Sequence, residues 1–310
     1  MVKYDIVALG ELNIDLILND IRGFPEIGKE IIAENCTMTL GSSTAIFAAN
    51  AAALGARVAF LGLVGNDDFG SFIERSLRQR GVDTAMLLRT SEYNSGITVC
   101  MNYGQDRANV TFPGSMNYLG IGQVRHLDFS CTRHVHISSL FLQEQLRRDI
   151  VPILRHIREG GATVSLDTQW DPAEKWEVPW DEVLPLVDVF MPNAQELQAL
   201  TGKSLEEAIA KVAPRVRTLV VKNGSQGSVM ISGGVRRTVP ALLNPAPVDC
   251  IGAGDSFNAG FVSAFVKGRP LADCQDEGNL TGAISTTAAG GTGAFSSPEA
   301  IQAAARQFKK

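Results

Sequence analysis

The sequence predicts an α/β fold in which helices flank a mainly parallel β-sheet and a small β-sheet forms a lid. Short apolar runs that end in Gly, Pro or Asp alternate with longer helical segments, a pattern typical of βαβ units. Two other segments alternate apolar and polar residues instead, as half-buried strands do. The chain has 310 residues, of which 45% are hydrophobic, so it can bury a large core.

Six apolar runs predict buried strands, at residues 4–10, 57–65, 134–141, 162–167, 186–192 and 218–224. Five segments between them predict helices, at residues 43–55, 69–81, 146–161, 194–202 and 205–216. Crossover helices cover both faces of a parallel sheet, which explains why these strands are nearly continuous apolar runs.

The two alternating segments lie at residues 13–41 and 95–114 and contain Gly, Pro and Asp turns. They predict antiparallel strands of a lid over the main sheet. A separate binding domain is the alternative, but two pieces this short, with a strand and two helices between them, could hardly build a core alone. We therefore predict one domain over residues 1–310, with the lid formed by about 11–41 and 95–114.

Charge and cysteine content disfavour several classes of protein. The 28 basic and 33 acidic residues give a net charge of −5, which does not favour nucleic acid or an anionic membrane as a partner. The five cysteines are scattered and never form a C-x-x-C pattern, which argues against a disulfide framework or a zinc site and predicts a cytoplasmic protein. No run approaches the roughly 20 apolar residues of a membrane span, and no signal peptide pattern opens the chain.

The stretch VDCIGAGDSFNAG (248–260) carries the most chemical information. Gly252, Ala253 and Gly254 allow the backbone to approach a ligand, and a helix that starts near Asp255 presents free N–H groups in its first turn. Such an anion hole stabilises charge on a transferring phosphoryl group, while Asp255 can accept the proton of an attacking hydroxyl. A glycine turn with Asp255 as the helix N-cap is the alternative for so short a pattern.

The longer pattern resembles the C-terminal signature of the ribokinase-like (PfkB-type) carbohydrate kinases, whose core reads D-T-x-G-A-G-D-x-F. Cys250 stands where Thr is usual, and six positions match: Asp249, Gly252, Ala253, Gly254, Asp255 and Phe257. The segments GELNID, GSSTAIFAANAAALG, FMPNAQELQALTG and LVVKNGSQGS resemble other family segments in the same order, from Ala8 to about Ala294. The resemblance implies a Rossmann-like sheet with a β lid and ATP-dependent phosphorylation of a sugar or nucleoside hydroxyl.

The same resemblance implies the nucleotide side of the site. It assigns Asn193 and Glu196 to the phosphates and, through water, to Mg²⁺, although residues three apart at a helix start also suit a capping box. It assigns a phosphate-binding turn to Lys222, Asn223, Gly224, Ser225 and Gly227, which is a hairpin turn in either case.

The resemblance further places Asn279 and Ala283 on a helix beside adenine. The small residues Gly282 and Ala283 would leave room for a flat base, but close helix packing explains them equally well. Some relatives bind a monovalent cation such as K⁺, which would lie at the carbonyl groups of Asp249 and Ile251 and at the loop 290–295.

On the acceptor side, the resemblance implies contacts from Asn13, Asp15, Gly41, Ser42, Ser43 and Gln169. Asn13 and Asp15 share one strand face, where an amide and a carboxylate can hold neighbouring hydroxyls; an exposed polar lid face is the alternative. Ribokinase-type members have G-G-K-G-A-N where this chain has GSSTAI, so Ser43 and Ile46 remove two polar sugar contacts. This departure disfavours ribose and favours a less polar or larger acceptor, such as a nucleoside.

The segment SLDTQWDPAEKW (165–176) offers Gln169 and Asp171 at polar positions without a neighbouring Arg. Because a phosphorylated sugar would need basic partners, we predict a neutral acceptor. Trp170 either stacks on a sugar or base or anchors the loop. We predict that His136 is a core histidine and that Gln143 is a pocket candidate.

Together these features predict an ATP- and Mg²⁺-dependent kinase that phosphorylates a hydroxyl of a neutral sugar, with Asp255 as the general base and the 252–254 amides as the anion hole. A nucleoside kinase and a non-catalytic sugar- or nucleotide-binding relative are the alternatives. A NAD-dependent dehydrogenase is excluded because ALGELNID lacks G-x-G-x-x-G after the first strand. Exposed lid edges predict a homodimer through the lid.

Overall fold

The protein is described by a computed structural model that covers residues 2–103 and 106–308. The strands are β1 (Tyr4–Leu9), β2 (Asn13–Ile21), β3 (Ala33–Leu40), β4 (Val58–Leu61), β5 (Leu63–Gly65), β6 (Leu88–Thr90), β7 (Gly96–Tyr103), β8 (Asp106–Phe112), β9 (Thr132–Ile137), β10 (Thr163–Leu166), β11 (Val189–Phe190), β12 (Thr218–Lys222), β13 (Ser228–Ser232) and β14 (Val235–Val239). The helices are α1 (Ser43–Ala53), α2 (Asp68–Gln79), α3 (Ile121–Val124), α4 (Glu144–Arg148), α5 (Ile150–Glu159), α6 (Trp180–Val183), α7 (Ala194–Thr201), α8 (Leu205–Val212), α9 (Ala253–Phe265), α10 (Leu271–Ser285) and α11 (Pro298–Arg306). None of the helices in these described ranges is long and apolar enough to cross a membrane.

The central sheet has eight strands in the order β14-β13-β12-β11-β10-β9-β1-β4. The six strands from β12 to β4 are parallel, and β13 and β14 extend the sheet as antiparallel neighbours of β12. The predicted fold class is therefore confirmed: a mostly parallel sheet flanked by helices, with a smaller lid sheet. In such sheets ligands bind at the carboxyl ends of the strands, where the loops converge.

The core is divided between the two faces of the central sheet. Along β1, Val7 and Leu9 pack into one apolar cluster, while Ile6 and Ala8 pack into the other. Because successive side chains of a strand point to opposite faces, this alternation means that both faces are covered. The apolar character of the predicted strand at 4–10 follows from this burial.

The lid is a four-stranded sheet in the order β3-β2-β7-β8. Its outer pairs are antiparallel, but the central pair β2 and β7 is parallel, so the expectation of an antiparallel sheet was wrong for that pair. The physical reason is connectivity. A long crossover through α1, β4 and α2 joins the two lid segments, and a connection of that length can return the chain in the same direction.

The lid has one polar face and one apolar face. The strand register aligns Asp15 with Thr39 and Thr98, and Thr98 with Thr111. On the other face it aligns Leu16, Met38, Val99 and Val110 in a row. The polar face lines a cavity described below, and the apolar face points away from it.

Several predicted elements are shorter or divided in the structure. The predicted strand 57–65 is interrupted at Gly62, and its second part pairs with β6 in a separate two-stranded sheet. The predicted helix 146–161 is divided into α4 and α5 at Asp149, whose carboxylate accepts hydrogen bonds from the amide of Ile121 and from Gln145. The strand predicted at 186–192 forms only the two-residue β11.

Candidate active site

The turn before helix α9 depends on glycine at Gly252. This residue is the N-cap of α9 and has φ +71°, a conformation that a side chain disfavours. A Cβ on Gly252 would also lie only 2.6 Å from the Cα of Gly291. The turn at residues 252–254 and the loop at residues 290–293 are therefore in direct backbone contact. This contact fixes the position at which α9 begins.

The amides of this turn are only partly free to bind an anion. The N–H of Ala253 donates to the carbonyl of Cys250 at 3.3 Å, a long hydrogen bond. Among the described residues, none accepts a hydrogen bond from the N–H of Gly252 or Gly254. Because these amides lie at the positive end of a 13-residue helix, they are suited to a phosphoryl oxygen.

Asp255 lies in the first turn of α9 and is 5% exposed. Its Oδ1 accepts a hydrogen bond of 3.0 Å from Nε2 of Gln169, a residue held at φ +56°. Within the described parts of the chain, Oδ2 has no hydrogen-bond partner. Burial raises the pKa of Asp255 well above its usual value, with a further contribution from the charge of Asp167, so the carboxylate has gained proton affinity, as a general base requires.

A buried ion pair lies beside Asp255. Nζ of Lys222, at the end of β12, contacts Oδ2 of Asp167, which also accepts a hydrogen bond of 2.5 Å from Asn258. A Cβ on Gly254 would lie 3.6 Å from Nζ of Lys222, so the ammonium borders the anion-hole turn. Burial lowers the pKa of Lys222, but Asp167 and Glu196 more than offset this and the net pKa is raised, which keeps the lysine charged.

Asn193 and Glu196 form the capping box that was the alternative to their phosphate role. The side chain of Asn193 accepts from the amide of Glu196 at 2.8 Å, and the carboxylate of Glu196 accepts from the amide of Asn193 at 2.8 Å and from its Nδ2 at 2.6 Å. Burial, followed by the nearby charge of Asp167, raises the pKa of Glu196 to about 7. Both oxygens of Glu196 already accept hydrogen bonds, so this donor set suits contact with a hydrated ion and not direct metal coordination.

The described residues contain no cluster of three or more His, Cys, Asp or Glu side chains that could hold a metal by themselves. At the site predicted for a monovalent cation, the carboxylate of Asp249 accepts from the amides of Ile251 and Gly290, each at 2.9 Å. The two chain segments predicted to surround the cation are thus adjacent.

An apolar cleft of about 520 Å³ lies beside the start of α9. It is lined by three groups of residues: Lys222, Gly224, Ser225 and Gly227 from the turn after β12, Leu242, Leu243 and Pro247 from the following loop, and Ala253, Gly254, Phe257, Asn279, Gly282 and Ala283 from α9 and α10. Nδ2 of Asn279 is engaged by Ser228 and by the carbonyl of Gln275, so Asn279 acts as part of the wall. Apolar atoms line most of the cleft, and Ala253 and Gly254 at the start of α9 form part of its wall.

Asn223 lies in the hairpin turn itself, where its amide donates to the carbonyl of Gly227 at 2.8 Å. Gly227 has φ +92°, and a Cβ there would lie 2.0 Å from the carbonyl oxygen of Val239. The predicted phosphate-binding turn is therefore a structural hairpin turn as well. Asn223 also lines a smaller cavity with Asn193, Ala194 and Lys222.

A second, polar cavity of about 660 Å³ lies on the other side of Asp255, under the lid. The predicted acceptor residues that line it are Asn13, Asp15, Ser42, Ser43 and Gln169. Gly41 contributes space, because a Cβ at this position would lie 2.3 Å from Oδ1 of Asp15. Nδ2 of Asn13 donates to Oδ1 of Asp15 at 3.0 Å and to Thr98 at 2.8 Å, so the polar face of the lid is pre-ordered.

Ser42 adopts a backbone conformation that usually requires glycine, with φ +83°. Its hydroxyl compensates by donating to the carbonyl of Glu11 at 2.7 Å and accepting from the amide of Ala45 at 2.9 Å. Ser42 thus caps α1, and its hydroxyl is already used within the protein.

Other residues of the 165–176 segment have structural roles. The carboxylate of Asp171 accepts hydrogen bonds from three backbone amides, those of Ala173, Lys175 and Trp176. Trp170 lines the polar cavity and packs edge-on against Trp176. Of this segment, Gln169 is the residue that donates a hydrogen bond to Asp255.

The two remaining candidates lie in the core. His136 is fully buried, bonded to Ser165 at 2.7 Å and stacked on Phe47, and burial lowers its pKa to about 3. Gln143 is also fully buried and donates to the carbonyls of Ser138 and Ser139. Neither side chain lines the polar cavity.

Sequence reasoning missed several cavity residues. Glu11 is 2% exposed, is bonded to Thr44, and has a pKa that burial raises. Thr98 and Thr111 lie on the polar face of the lid. The alternation of polar and apolar residues along the lid strands could have identified both. Arg80, just after α2, also lines the cavity, and no local pattern marks it because it is distant in sequence from every other residue there.

The fold and the site together point to a class of protein: small-molecule kinases, in which an anion hole adjoins a carboxylate able to deprotonate a hydroxyl. A family model described as pfkB family carbohydrate kinase matches residues 3–298. The chain therefore belongs to the pfkB family of carbohydrate kinases and is a phosphotransferase that acts on an alcohol group.

Individual relatives agree with this assignment. The 2-dehydro-3-deoxygluconokinase of Bacillus subtilis is 25% identical over 301 residues, covering 93% of this chain and 91% of that protein. The ribokinase of Haemophilus influenzae is 26% identical over 294 residues, covering 92% and 93%. The structure of Arabidopsis thaliana ribokinase complexed with ribose and ATP has a TM-score of 0.85 at 22% identity and covers 99% of both chains, which shows that the fold is shared.

Proposed function

We propose that this protein is an ATP-dependent kinase that transfers the γ-phosphoryl group to a hydroxyl of a sugar, with Asp255 as the general base. One observation carries the proposal. Asp255 lies between the two cavities: its bonding partner Gln169 lines the polar cavity, and its neighbour Gly254 lines the apolar cleft. A hydroxyl in the first and a phosphoryl group in the second would meet at this carboxylate.

The chain's own residues divide the chemistry between them. Gln169 holds Oδ1 of Asp255, which directs Oδ2 to the acceptor hydroxyl. The amides of Gly252 and Gly254 and the ammonium of Lys222 face the charge that develops on the phosphoryl oxygens. The raised pKa of Asp255 makes the carboxylate a better proton acceptor than an exposed aspartate.

The residues present fit a nucleotide that brings its own Mg²⁺. The ion, when bound, would neutralise phosphate charge, and the Asn193–Glu196 box would hold it through water molecules. A K⁺ ion at the carbonyls of Asp249 and Ile251 remains a proposal that rests on the contact between the 249 turn and the 290 loop.

For the acceptor, a sugar is favoured over a nucleoside. The lid offers a row of hydroxyl, amide and carboxylate groups to the cavity, and such groups hold neighbouring sugar hydroxyls. The relatives named above also act on sugars by name. We expected a neutral acceptor because no arginine lies near Gln169 in the sequence. Arg80 lines the same cavity as Gln169, so that reason no longer applies.

The apolar face of the lid supports a homodimer. Met38 is 44% exposed, Val110 62% and Phe112 53%, and all three lie on the face opposite the cavity. The edge strands β3 and β8 also leave unpaired backbone groups. We propose that a second lid covers this surface.

The kinase proposal is tested by measuring ADP formation with Mg-ATP and a panel of sugars, sugar acids and nucleosides, with the phosphorylated product identified by ³¹P NMR. We expect turnover with at least one sugar-type acceptor. Turnover confined to nucleosides would favour the nucleoside-kinase alternative. ATP binding without turnover on any acceptor would favour a non-catalytic relative.

A further inference from the structure

Arg80 is a basic side chain on the wall of the polar cavity, and it is the only one among the described residues that line it. It is half-buried and follows the last turn of α2. Its Nη1 donates to the carbonyl of Ser76 and its Nη2 to Oγ1 of Thr292, both at 3.4 Å. A guanidinium has five N–H donors, so these two long hydrogen bonds leave most of its capacity unused.

The guanidinium has no acidic partner in the described parts of the chain, where no carboxylate lies within 4 Å of it. Two other arginines of this region do have an acidic partner, because Arg78 and Arg89 share the carboxylate of Glu74. A half-buried charge loses hydration, and two long hydrogen bonds to neutral groups compensate for only part of that loss. Arg80 is therefore an unmatched positive charge directed at a ligand cavity.

The loop that Arg80 contacts connects it to the catalytic turn. Gly291, next to Thr292, packs against Gly252, and its carbonyl accepts a hydrogen bond of 2.9 Å from Asn50. Ile46 packs against the same glycine and stands where ribokinase-type members have a polar residue. This part of the cavity wall is therefore apolar in this protein and cannot bind sugar hydroxyls through the side chain of Ile46. Arg80 lines the same cavity.

We propose that the acceptor is a sugar acid whose carboxylate is bound by Arg80 while its hydroxyls face the lid and Asp255. A single guanidinium matches a carboxylate in charge and geometry. A phosphate dianion would need more basic groups than the described wall supplies. The inference rests on the proposed kinase activity.

The test compares matched acceptors in a steady-state ADP assay: gluconate with glucose, ribonate with ribose, and glucose 6-phosphate as the phosphate arm. The variants are Arg80→Met and Arg80→Lys, with Arg75→Met as the control, because Arg75 is an exposed arginine of the same helix and its removal changes the net charge equally.

We expect the wild type to prefer a sugar acid. Arg80→Met should raise KM for that acid by about 10- to 100-fold, as expected for a lost charge-assisted bond, with kcat and KM for neutral sugars changed less than about twofold. Arg80→Lys should restore part of the affinity, and Arg75→Met should resemble the wild type. An equal loss with acid and neutral acceptors would assign Arg80 a structural role and overturn the inference.

Two other results would also overturn it, and they are distinguishable. If neutral sugars or glucose 6-phosphate are phosphorylated and sugar acids are not, the carboxylate assignment fails while the kinase stands. If the wild type turns over no acceptor at all, the kinase proposal fails and the inference fails with it.

Discussion

Asp255 is the proposed general base, and its burial makes ionisation of its carboxyl group unfavourable. Its carboxylate is 5% exposed, and burial raises its pKa well above the usual value. A carboxyl group whose pKa is raised in the folded state stabilises the fold below its unfolded pKa, and that contribution is lost as the pH rises through the folded pKa. Above that pH the ionised group destabilises the protein, so at this residue stability and activity are opposed.

Asp255→Asn therefore has two expected effects. The catalysed rate should fall by the roughly 10²- to 10⁴-fold expected for loss of a general base, with ATP affinity nearly unchanged. The melting temperature should exceed that of the wild type at pH 8, with the difference shrinking towards pH 4. Steady-state ADP assays, nucleotide titration and thermal melts measure these quantities.

Asp68→Asn is the matched control, because Asp68 is an exposed aspartate in the first turn of α2. It should leave the rate unchanged. Near-normal turnover by Asp255→Asn would refute the role of Asp255 as base.

Glu196 gives a second pH-dependent prediction. Its pKa is raised from 4.5 to about 7, by burial first and then by Asp167. Its protonated form therefore favours folding, and this contribution should be lost between about pH 4.5 and 7. The free energy of unfolding of the wild type, relative to Glu196→Gln, should fall across that window by on the order of 2–3 kcal/mol. Denaturant titrations at several pH values measure it, and a difference that is constant with pH would contradict a raised pKa at this carboxyl group.

At the scale of elements, the position of helix α9 relative to the 290–293 loop determines the site. The helix carries Asp255 and the amides proposed to form the anion hole, and the loop contacts both Gly252 and Arg80. Asn50 of α1 joins them by donating to Ser256 of α9 and to the carbonyl of Gly291, each at 2.9 Å. Three elements that are distant in sequence thus meet at one turn, and a small displacement there would move the reacting groups.

Gly252→Ala tests this contact. The added Cβ would be strained by the positive φ and would meet the backbone of Gly291 at 2.6 Å. Gly268→Ala is the control, because Gly268 has φ +73° but nothing within 4 Å of an added Cβ. The control should cost about 1–2 kcal/mol in the free energy of unfolding, and Gly252→Ala about 1–3 kcal/mol more from the clash.

Activity should separate the two variants more clearly than stability does. Gly252→Ala should lose most of kcat because the amides move, whereas Gly268→Ala should retain it under conditions where both are folded. If the two variants behave alike in denaturant and activity measurements, the contact between the turn and the loop is not what positions the site.

At the scale of the whole molecule, the two faces of the lid differ in polarity, and we propose a different function for each. Its polar face, with Asp15, Thr98 and Thr111, forms one wall of the acceptor cavity. Its apolar face, with Met38, Val110 and Phe112, is largely exposed. A contiguous apolar surface of this kind is typical of an interaction site, and burying it against a twin would also restrict the motion of the cavity wall.

We therefore expect light scattering to report a dimer. Val110→Asp should shift the mass to that of a monomer, because a charge would be buried in the contact. Val235→Asp is the control: Val235 is 72% exposed on β14, at the edge of the central sheet, and its substitution should leave the dimer intact. A wild-type monomer at micromolar concentration would rule out the lid contact.

Much of the fold followed from local pattern. The buried runs at 4–10 and 218–224 correspond to β1 and β12, and the helical segment at 43–55 to α1, because burial on both sides of a sheet imposes an apolar run on the strand itself. The short length of β11 and the parallel pairing of β2 with β7 could not be predicted, since each depends on which distant segment lies alongside.

The sequence by itself determined the contiguous part of the site. Gly252, Ala253, Gly254 and Asp255 are neighbours, and a glycine turn followed by a helix start has the same geometry in almost any surroundings. The capping box of Asn193 and Glu196 is local in the same way.

Only the tertiary structure decided which residues surround the segment 252–255. The bond from Gln169 to Asp255 spans 86 residues, the pair of Lys222 with Asp167 spans 55, and the contact of Arg80 with Thr292 spans 212. The burial and the neighbouring charges that shift the pKa values of Asp255 and Lys222 arise only when the sheet and the loops come together. One short segment therefore supplies the groups proposed to carry out the reaction, whereas their protonation states and the shape of the neighbouring cavities depend on the folded molecule.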